Sequence, residues 1–321
     1  MAMTLNDMKV GMTDKVAQQV VDIFVRESEL LQALPFDNCI SPDGGSTLTY
    51  SYMQTKLPSM ASFRELYTEY TASEATLVKK SADLKIFGGK FTMDRVLKQA
   101  EGRFNNMAFQ MEQKIKAAVG LFHYTLINGD ATTNPLEFDG LDKMLAGTTS
   151  EFNADGVIDI STMELLKANA DQFYEALQNL IKATDAQALM MNTAMISKIQ
   201  TLARILGYKT ESEEAFGRKI VTMDGTRFMD LKNVYSAADG APVATPCVPI
   251  VGGNTDIYAV RFDVNDGFHG VTLTGTSGIT QYLPDFNKPG PVKDGEVEMV
   301  AATVLKNTQH AGVLRNIKLT A

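Results

Sequence analysis

The sequence predicts an α+β protein, and three patterns carry this prediction. Apolar residues recur every three or four positions from Asp94 to Ile127, which indicates one long helix with a single apolar seam. Side chains alternate between polar and apolar from Thr47 to Thr55, which is typical of a strand. Helical and extended segments follow each other over the second half of the chain. The 321 residues, 45% of them apolar, suffice for one large domain or two ordinary ones.

The chain begins with a predicted amphipathic helix from Thr13 to Leu34, because its apolar residues recur at helical spacing and Pro35 ends the run. The turn-forming cluster 41–46 separates this helix from the strand Thr47–Thr55. A second extended stretch covers Leu84–Phe91, and its alternation of polar and apolar residues stops at Gly88 and Gly89.

We expect these two strands to form a long hairpin, with the polar segment Lys56–Asp83 between them. A two-stranded ribbon alone is marginally stable in water, so a long one needs a surface to lie on. A neighbouring subunit is the simplest such surface. The alternative is a hairpin that folds back on its own body.

The long helix is expected to begin after Thr92, which is a suitable N-cap, with Asp94 in its first turn. No proline interrupts the pattern as far as Ile127. At 1.5 Å per residue such a helix would be about 50 Å long. Its single seam predicts packing along one side on a sheet.

The second half of the chain reads as a compact α+β region. An ordered loop at 134–141 comes first, and the polar stretch around Glu211, Glu213 and Glu214 and the proline-rich stretch Ala238–Asn254 are predicted loops. The predicted helices are Met163–Ile181 and the segment that Thr193 caps and Gly207 ends. The predicted strands are Ala188–Met191, a hairpin over Arg218–Asp230 that turns at Asp224-Gly225, Asp256–Asp263, Thr272–Leu283, Glu296–Leu305 and Ala311–Leu319.

Charge and cysteine content exclude several classes of protein. With 30 basic and 38 acidic residues the net charge is -8, and no basic block is present, which argues against a protein that reads nucleic acid by gripping phosphates. Cys39 and Cys247 cannot form a disulfide framework, which fits synthesis in a reducing compartment. The N-terminus has no signal-peptide pattern and no apolar run is long enough to span a bilayer, so we expect no membrane partner.

The sequence offers no catalytic, cofactor or metal site. It contains neither a phosphate-binding loop nor a nucleophile elbow, and Gly275–Gly278 only resembles the latter. His123, His269 and His310 lie far apart, so no local pair of metal ligands exists. We therefore expect a protein without enzymatic activity. An enzyme whose acid and base residues are dispersed along the chain is the alternative that a linear search leaves open.

The order of the elements resembles that of phage major capsid proteins with the HK97 fold. Five short strings are also similar to that family, and together they span nearly the whole chain. They are Phe24–Leu31, Asp94–Leu97, Ile127–Asp130, Phe138–Leu141 and Ala311–Arg315.

The resemblance implies four regions: an N-terminal arm, an extended E-loop hairpin, a peripheral P-domain around the long spine helix, and an axial A-domain. The implied boundaries are 1–35 for the arm, 36–93 for the E-loop, 94–160 and 285–310 for the P-domain, and 161–284 and 311–321 for the A-domain.

The function that the resemblance implies is self-assembly of many copies into pentamers and hexamers of an icosahedral shell around phage double-stranded DNA, without sequence-specific binding. The chain would be made in the cytoplasm of a bacterial host and located in the virion. Leu48, Tyr50, Leu57 and Tyr67 would be E-loop anchors that become buried only against a neighbouring subunit.

Implied partners are a separate scaffolding protein, a portal and decoration proteins. Some members of the family join subunits through a Lys-Asn isopeptide bond; we expect the hairpin lysines, such as Lys56 and Lys85, to be solubilising instead. Encapsulin compartment shells have a similar architecture, so an encapsulin-like shell that holds cargo enzymes is the alternative within the same fold.

Overall fold

The computed structural model describes residues 29–40, 47–99, 106–207, 211–215, 218–223, 225–238, 241–274 and 278–320. The helices are α1 Glu29–Ala33, α2 Arg95–Gln99, α3 Asn106–Asn128, α4 Leu141–Leu145, α5 Met163–Ala168, α6 Ala170–Thr184 and α7 Thr193–Leu206. The strands are β1 Phe36–Asn38, β2 Thr49–Leu57, β3 Thr76–Asp83, β4 Lys85–Asp94, β5 Glu151–Phe152, β6 Ile158–Asp159, β7 Ala188–Met191, β8 Glu211–Ala215, β9 Arg218–Met223, β10 Thr226–Asp230, β11 Asn233–Ala238, β12 Ala241–Pro246, β13 Asn254–Val260, β14 Phe268–Thr272, β15 Thr280–Tyr282, β16 Val292–Leu305 and β17 Ala311–Lys318.

The first sheet is built around the long strand β16. Strand β4 pairs antiparallel with β16 over ten residues, from Lys85 opposite Ala301 to Asp94 opposite Val292. On its other edge β16 pairs with β14 and β15, and β1 adds to β14. Helix α3 packs on this sheet through a buried stripe, which confirms the predicted seam; its members include Met111, Ile115, Phe122 and Leu126.

The second sheet has eight strands, in the order β5–β17–β13–β7–β10–β9–β8, with β6 also paired to β17. One face of it joins the core of the first sheet. Helices α5, α6 and α7 cover the other face and bury residues such as Phe173, Leu177 and Ile199. Strand β7 lies at the middle with all four residues buried, which agrees with its predicted bounds.

The predicted pairing of the hairpin is wrong in one strand. Strand β2 forms as expected, but its partner is β3, from Thr76 to Asp83, and not the stretch Leu84–Phe91. That stretch belongs to β4 and pairs with β16. The sequence of β3 carries two adjacent lysines and is exposed along nearly its whole length, so its apolar pattern is too weak to indicate a strand.

The helix start is also different from the prediction. Thr92 is not an N-cap, because β4 continues through Asp94 and Thr92 pairs with Asp294. The Asp94 carboxylate accepts a 2.8 Å hydrogen bond from the Val96 amide, and α2 begins between them at Arg95. Residues 100–105 lie outside the described residues, and helix α3 covers 106–128. Of the predicted arm helix, only α1 is described, and it ends before Pro35 as expected.

Four other elements differ from the prediction. Helix 163–181 is two helices, because Asn169 leaves helical geometry and donates a side-chain hydrogen bond to the Asp159 carbonyl at 2.8 Å. Asn192, not Thr193, caps α7, which ends at Gly207 as predicted. The acidic stretch at 211–214 lies in strand β8 and not in a loop. Within the predicted loop Ala238–Asn254, residues 241–246 instead form β12, which pairs with β11 in a ribbon whose edges tolerate proline, while 247–253 lie in turns and irregular backbone.

The predicted strand Thr272–Leu283 is present only as the end of β14 and as β15, with 275–277 outside the described residues. The other predicted strands form, with β13, β16 and β17 close to their expected bounds. Strand pairing crosses the predicted domain boundaries at four points, since β1 pairs with β14, β4 pairs with β16, β14 and β15 pair with β16, and β5 and β6 pair with β17.

Candidate assembly interface

The β2–β3 hairpin is the most exposed ordered part of the described chain. Its two strands pair from Thr49 opposite Asp83 to Leu57 opposite Thr76, and residues 58–75 connect them. Every residue of this connection is exposed. A segment that buries almost nothing within its own chain is not held by a core of its own.

Polar contacts fix the base of the hairpin to the body. Alternate residues of β2 face inward, and each of them makes a hydrogen bond. The Tyr50 hydroxyl donates to Asp37 Oδ2 at 2.7 Å, the Tyr52 hydroxyl donates to the Leu305 carbonyl at 3.1 Å, and Gln54 Nε2 donates to the Lys306 carbonyl at 2.9 Å. Strand β2 is therefore oriented by the body as far as Gln54 and projects beyond it.

The distal part of the hairpin exposes large apolar side chains. Phe63 and Tyr67 are essentially fully exposed to solvent, at 107% and 95%. Exposed large apolar residues over 57–77 are Leu57, Met60, Phe63, Leu66, Tyr67, Tyr70 and Leu77. We call residues 57–77 the hairpin tip. Exposed apolar area costs free energy in water, and a concentration of large exposed apolar side chains is typical of surfaces that bind another molecule.

The tip has a defined internal geometry despite its exposure. Arg64 lies over the ring of Tyr70 at 5.4 Å and donates to the Glu65 and Thr68 carbonyls. The Met60 amide donates to Ser73 Oγ at 3.0 Å, which ties the two sides of the loop together. Tyr67 has φ of 70°, in the left-handed region that a non-glycine residue adopts only in a constrained turn. The apolar side chains are thus presented by an ordered loop.

The predicted anchors fall into two groups. Leu48, Leu57 and Tyr67 are exposed, so their burial against a neighbour stays a prediction. Tyr50 instead packs against its own body: it is half-buried, bonded to Asp37 and in edge-to-face contact with His269 at 5.9 Å. Four further large apolar residues of the same segment are exposed, namely Met60, Phe63, Leu66 and Tyr70. The predicted polar connection does not include them as candidates, although their apolar side chains are visible in the sequence.

Charge and burial at the hairpin base shift several pKa values. Burial alone would raise the pKa of Asp37, but the Tyr50 hydroxyl and the Asn38 amide outweigh this effect and lower it. Burial and the neighbouring Asp37 carboxylate raise the pKa of Tyr50, which keeps its hydroxyl a donor. Burial lowers the pKa of His269.

Two further ionic clusters join elements of the body. Arg315 lies at the centre of the first, where it contacts Asp142, Glu151 Oε1 at 2.8 Å and Asp256 Oδ2 at 2.9 Å. Lys143 joins Asp130 and Asp139 in the second. In both clusters the carboxylates surround one cation, which fits a structural role better than acid–base catalysis.

The candidate metal ligands stay apart. Within the described ranges, no group of three histidine, cysteine or acidic side chains is positioned to hold a metal ion. His123 is buried in α3, where burial lowers its pKa to about 4. Cys39 and Cys247 are buried free thiols, and burial raises the pKa of Cys247 to about 12. Among the helices that the structure describes, none combines the length and apolarity needed to cross a membrane.

Comparison with known proteins gives a consistent fold. No protein-family model matches the sequence, and no curated protein matches it. Among solved structures, the holo-SrpI encapsulin complex from Synechococcus elongatus has a TM-score of 0.60 at 12% identity over 91% of this chain and 88% of that chain. Mycobacterium phage Bobi has a TM-score of 0.57 at 15% identity over 90% of each chain.

The capsid of the native GTA particle has a TM-score of 0.56 at 11% identity over 91% of this chain and 90% of that chain. At such low identity the likeness concerns architecture, and it extends over nearly the full length of both proteins in each comparison. The α+β architecture predicted from the sequence is confirmed: the chain has the HK97-type fold of capsid and encapsulin shells.

Proposed function

We propose that this chain is a structural protein that assembles with copies of itself into a closed icosahedral shell. The observation that carries the proposal is the hairpin tip, which exposes Phe63, Leu66 and Tyr67 on an ordered loop of a chain with a shell-protein fold. Specific protein interfaces bury on the order of 1,600 Å² in total, and a projecting hairpin supplies such area outside the core. No enzymatic activity is part of this proposal.

The shell is proposed to be a phage capsid that encloses double-stranded DNA, with the protein located in the virion. The net charge of -8 supports this content, because a shell that later releases DNA should not bind phosphate tightly. Pentamers and hexamers of this chain, a separate scaffolding protein, a portal and decoration proteins complete the proposed assembly. Synthesis in a bacterial cytoplasm belongs to the same proposal.

An encapsulin-like compartment is the second candidate, and a specific observation favours it: an encapsulin complex is among the similar structures, with a TM-score of 0.60. The two candidates differ in content and not in fold. Purified particles that protect double-stranded DNA from nuclease support the capsid. Particles that hold a co-purifying enzyme and no DNA support the compartment.

Within this proposal the domain division is 1–35 as arm, 36–93 as E-loop, 94–160 with 285–310 as P-domain, and 161–284 with 311–321 as A-domain. The pairing of β14 and β15 with β16 supports moving these two strands to the P-domain.

The experiment is size-exclusion chromatography and negative-stain microscopy of the purified chain, alone and together with the proposed scaffolding protein. We expect closed particles of megadalton mass. A chain that stays a monomer of 35.1 kDa under all assembly conditions would overturn the proposal, and turnover of a substrate by that monomer would favour the dispersed-site enzyme.

A further inference from the structure

A fully buried histidine lies where the β2–β3 hairpin meets the body. His269 is on strand β14, in the first sheet, and its ring contacts the ring of Tyr50 edge-to-face, with 5.9 Å between the ring centroids. Tyr50 lies on β2 and is one of the residues whose side chains fix the hairpin base. The contact between His269 and Tyr50 is therefore a contact between the body and the projecting hairpin.

The His269 ring has few hydrogen-bond partners. Its Nδ1 lies 3.4 Å from the Gly267 carbonyl oxygen, and its Nε2 is buried where no donor or acceptor among the described residues reaches it. A carbonyl only accepts, so Nδ1 carries the hydrogen of the neutral ring and Nε2 carries the lone pair. A protonated ring would add a second N–H at Nε2, and this group would find no acceptor among the same residues. The site therefore suits the neutral ring and not the charged one.

The charges around the ring are balanced only while His269 is neutral. Asp37 on β1 favours a charge on the ring, and Lys306, which follows β16, disfavours it. The backbone of Gly267 and of Asp263 also favours the charge, but burial is the largest effect and lowers the pKa of His269 below its ordinary value of 6.5. With one carboxylate and one ammonium group acting on the site, a proton on His269 would leave positive charge in excess there.

The hairpin can change its orientation without loss of the two sheets of the body. Strands β2 and β3 pair only with each other, in a separate two-stranded sheet. The side chains of Tyr50, Tyr52 and Gln54 donate the hydrogen bonds that join β2 to the body, and residues 58–75 are all exposed. Loss of these few contacts would free the ribbon while its own ladder and the core of the body stay intact.

We propose that His269 makes the attachment of the hairpin sensitive to acid: protonation of its ring favours an orientation in which Tyr50 has left the body and Nε2 reaches water. The inference goes beyond shell assembly, because it concerns one chain before any contact with another copy. The attached hairpin disfavours the proton, whereas the detached hairpin lets His269 bind it with the ordinary pKa of 6.5. Attachment is thus at full strength above about pH 6.5 and weakens as the pH falls below that value.

The hydrogen bond between Tyr50 and Asp37 does not itself titrate in this range. Burial opposes a low pKa at Asp37, but the Tyr50 hydroxyl and the Asn38 amide outweigh it and lower the pKa from its ordinary value of 3.8. The carboxylate therefore stays ionised between pH 7.5 and 5. Burial and the Asp37 carboxylate raise the pKa of Tyr50, so its hydroxyl keeps its hydrogen over the same range.

The test is a distance measurement between the hairpin and the body in the purified full-length chain. Leu57→Cys on β2 and Leu136→Cys on the body are at exposed positions, and spin labels on them report their separation by pulsed electron paramagnetic resonance. Labelling is done at pH 7.5, where Cys39 and Cys247 are buried, and excess label is removed before acidification.

We expect one narrow distance distribution at pH 7.5 and a second population of at least about a tenth of the chains at pH 5. Over this range a single proton with a detached-state pKa of 6.5 can raise the ratio of detached to attached chains by up to about 30-fold. Far-UV circular dichroism should be the same at both pH values, because the body stays folded.

Two variants separate His269 from other causes. His269→Phe keeps an aromatic ring that takes no proton, so it should give the narrow distribution at both pH values; if it does not fold, His269→Gln replaces it. His123→Gln is the matched control, because it removes another buried histidine, in α3, and should leave the response of the hairpin unchanged.

A single distribution at both pH values in the chain with native His269 overturns the proposal, and so does an equal response in His269→Phe. Loss of the circular dichroism signal together with the narrow distribution also overturns it, since the whole chain then unfolds. If labels at the first two positions disturb the fold, the exposed pair Leu77→Cys with Val157→Cys gives the same comparison. Failure of the shell proposal would appear separately, as a lack of closed particles at pH 7.5.

Discussion

The hydroxyl of Tyr50 donates a 2.7 Å hydrogen bond to the carboxylate of Asp37, and this bond joins the hairpin to β1, the strand that follows α1. Asp37 lies on β1, at the edge of the first sheet, and Tyr50 lies near the start of β2. The direction of the hairpin is therefore set by a contact between two segments that are thirteen positions apart.

Replacing Tyr50 by Phe removes this bond and keeps the ring. We expect the free energy of unfolding to fall by about 1 kcal/mol, because a partly buried carboxylate loses its donor. The pKa of Asp37 should rise as well, since the Tyr50 hydroxyl helps to hold it low. Chemical denaturation measures the first effect and NMR titration the second. Tyr70→Phe, at an exposed tip position, should change neither.

The hairpin tip should matter for assembly and not for folding. The double variant Phe63→Ser with Tyr67→Ser alters only exposed side chains, so the free energy of unfolding should stay within about 0.5 kcal/mol of wild type. Particle yield, measured by light scattering and microscopy, should fall at least tenfold. Tyr235→Ser is the matched control and should assemble normally. Wild-type yield from the double variant would remove the tip from the interface.

Two glycines, Gly88 in β4 and Gly120 in α3, should change the free energy of unfolding in opposite directions when alanine replaces them. A Cβ at Gly88 would overlap the Val297 carbonyl oxygen in the β4–β16 ladder, so Gly88→Ala should destabilise the chain by about 1–3 kcal/mol. At Gly120 the nearest atom would be 3.7 Å away, within a helix, so Gly120→Ala should be neutral or stabilising by up to about 1 kcal/mol. Thermal and denaturant unfolding would compare them. Equal losses in both variants would contradict the space that the structure leaves beside Gly120, where Asn233 and Val234 of β11 are the nearest neighbours.

The Arg315 cluster should be sensitive to loss of its cation. In Arg315→Met, Asp142, Glu151 and Asp256 keep their charges without a neighbouring cation, and we expect a loss of about 3 kcal/mol, since all three are at least partly shielded. The triple neutral variant with Asp142→Asn, Glu151→Gln and Asp256→Asn should recover part of that loss in the Arg315→Met background. No recovery would mean that packing, and not charge, sets the cost.

Lowering the pH should reduce the free energy of unfolding, because His123 is buried in its neutral form. Its pKa in the folded chain is about 4, below the ordinary value of 6.5, because burial disfavours the charged ring. Between these two values the unfolded chain binds the extra proton, so stability is full above about pH 6.5 and declines as the pH falls toward 4. A decline of up to about 3 kcal/mol corresponds to this shift. His123→Gln should flatten the pH dependence in this window.

The elements that the sequence revealed best are those whose own side chains determine them. Strand β7 consists of four buried apolar residues, and the apolar seam of α3 follows helical spacing, so both could be read locally. Strand β3 could not, because its stability comes from pairing with β2 and not from its own pattern. The same holds for β12, whose prolines indicate a loop until its partner β11 is known.

The sequence predicts where the candidate interface lies along the chain, but it does not predict which side chains are exposed there. The sequence indicated a projecting hairpin, and the structure adds which of its residues are free. Tyr50 and Leu57 lie in the same alternating strand, yet only the former reaches the body, because Asp37 and His269 come close to it from distant parts of the chain. Long-range neighbours of this kind are absent from any local pattern.

Strand β3 is followed, after Leu84 alone, by β4, and β4 pairs with β16 over ten consecutive residues. A force on the projecting β2–β3 ribbon would therefore act along the strand direction of β4. It would load the hydrogen bonds between β4 and β16 together, in shear, and would not break them one after another. A container built from such parts would transmit internal pressure from one wall unit to the next along its strongest direction.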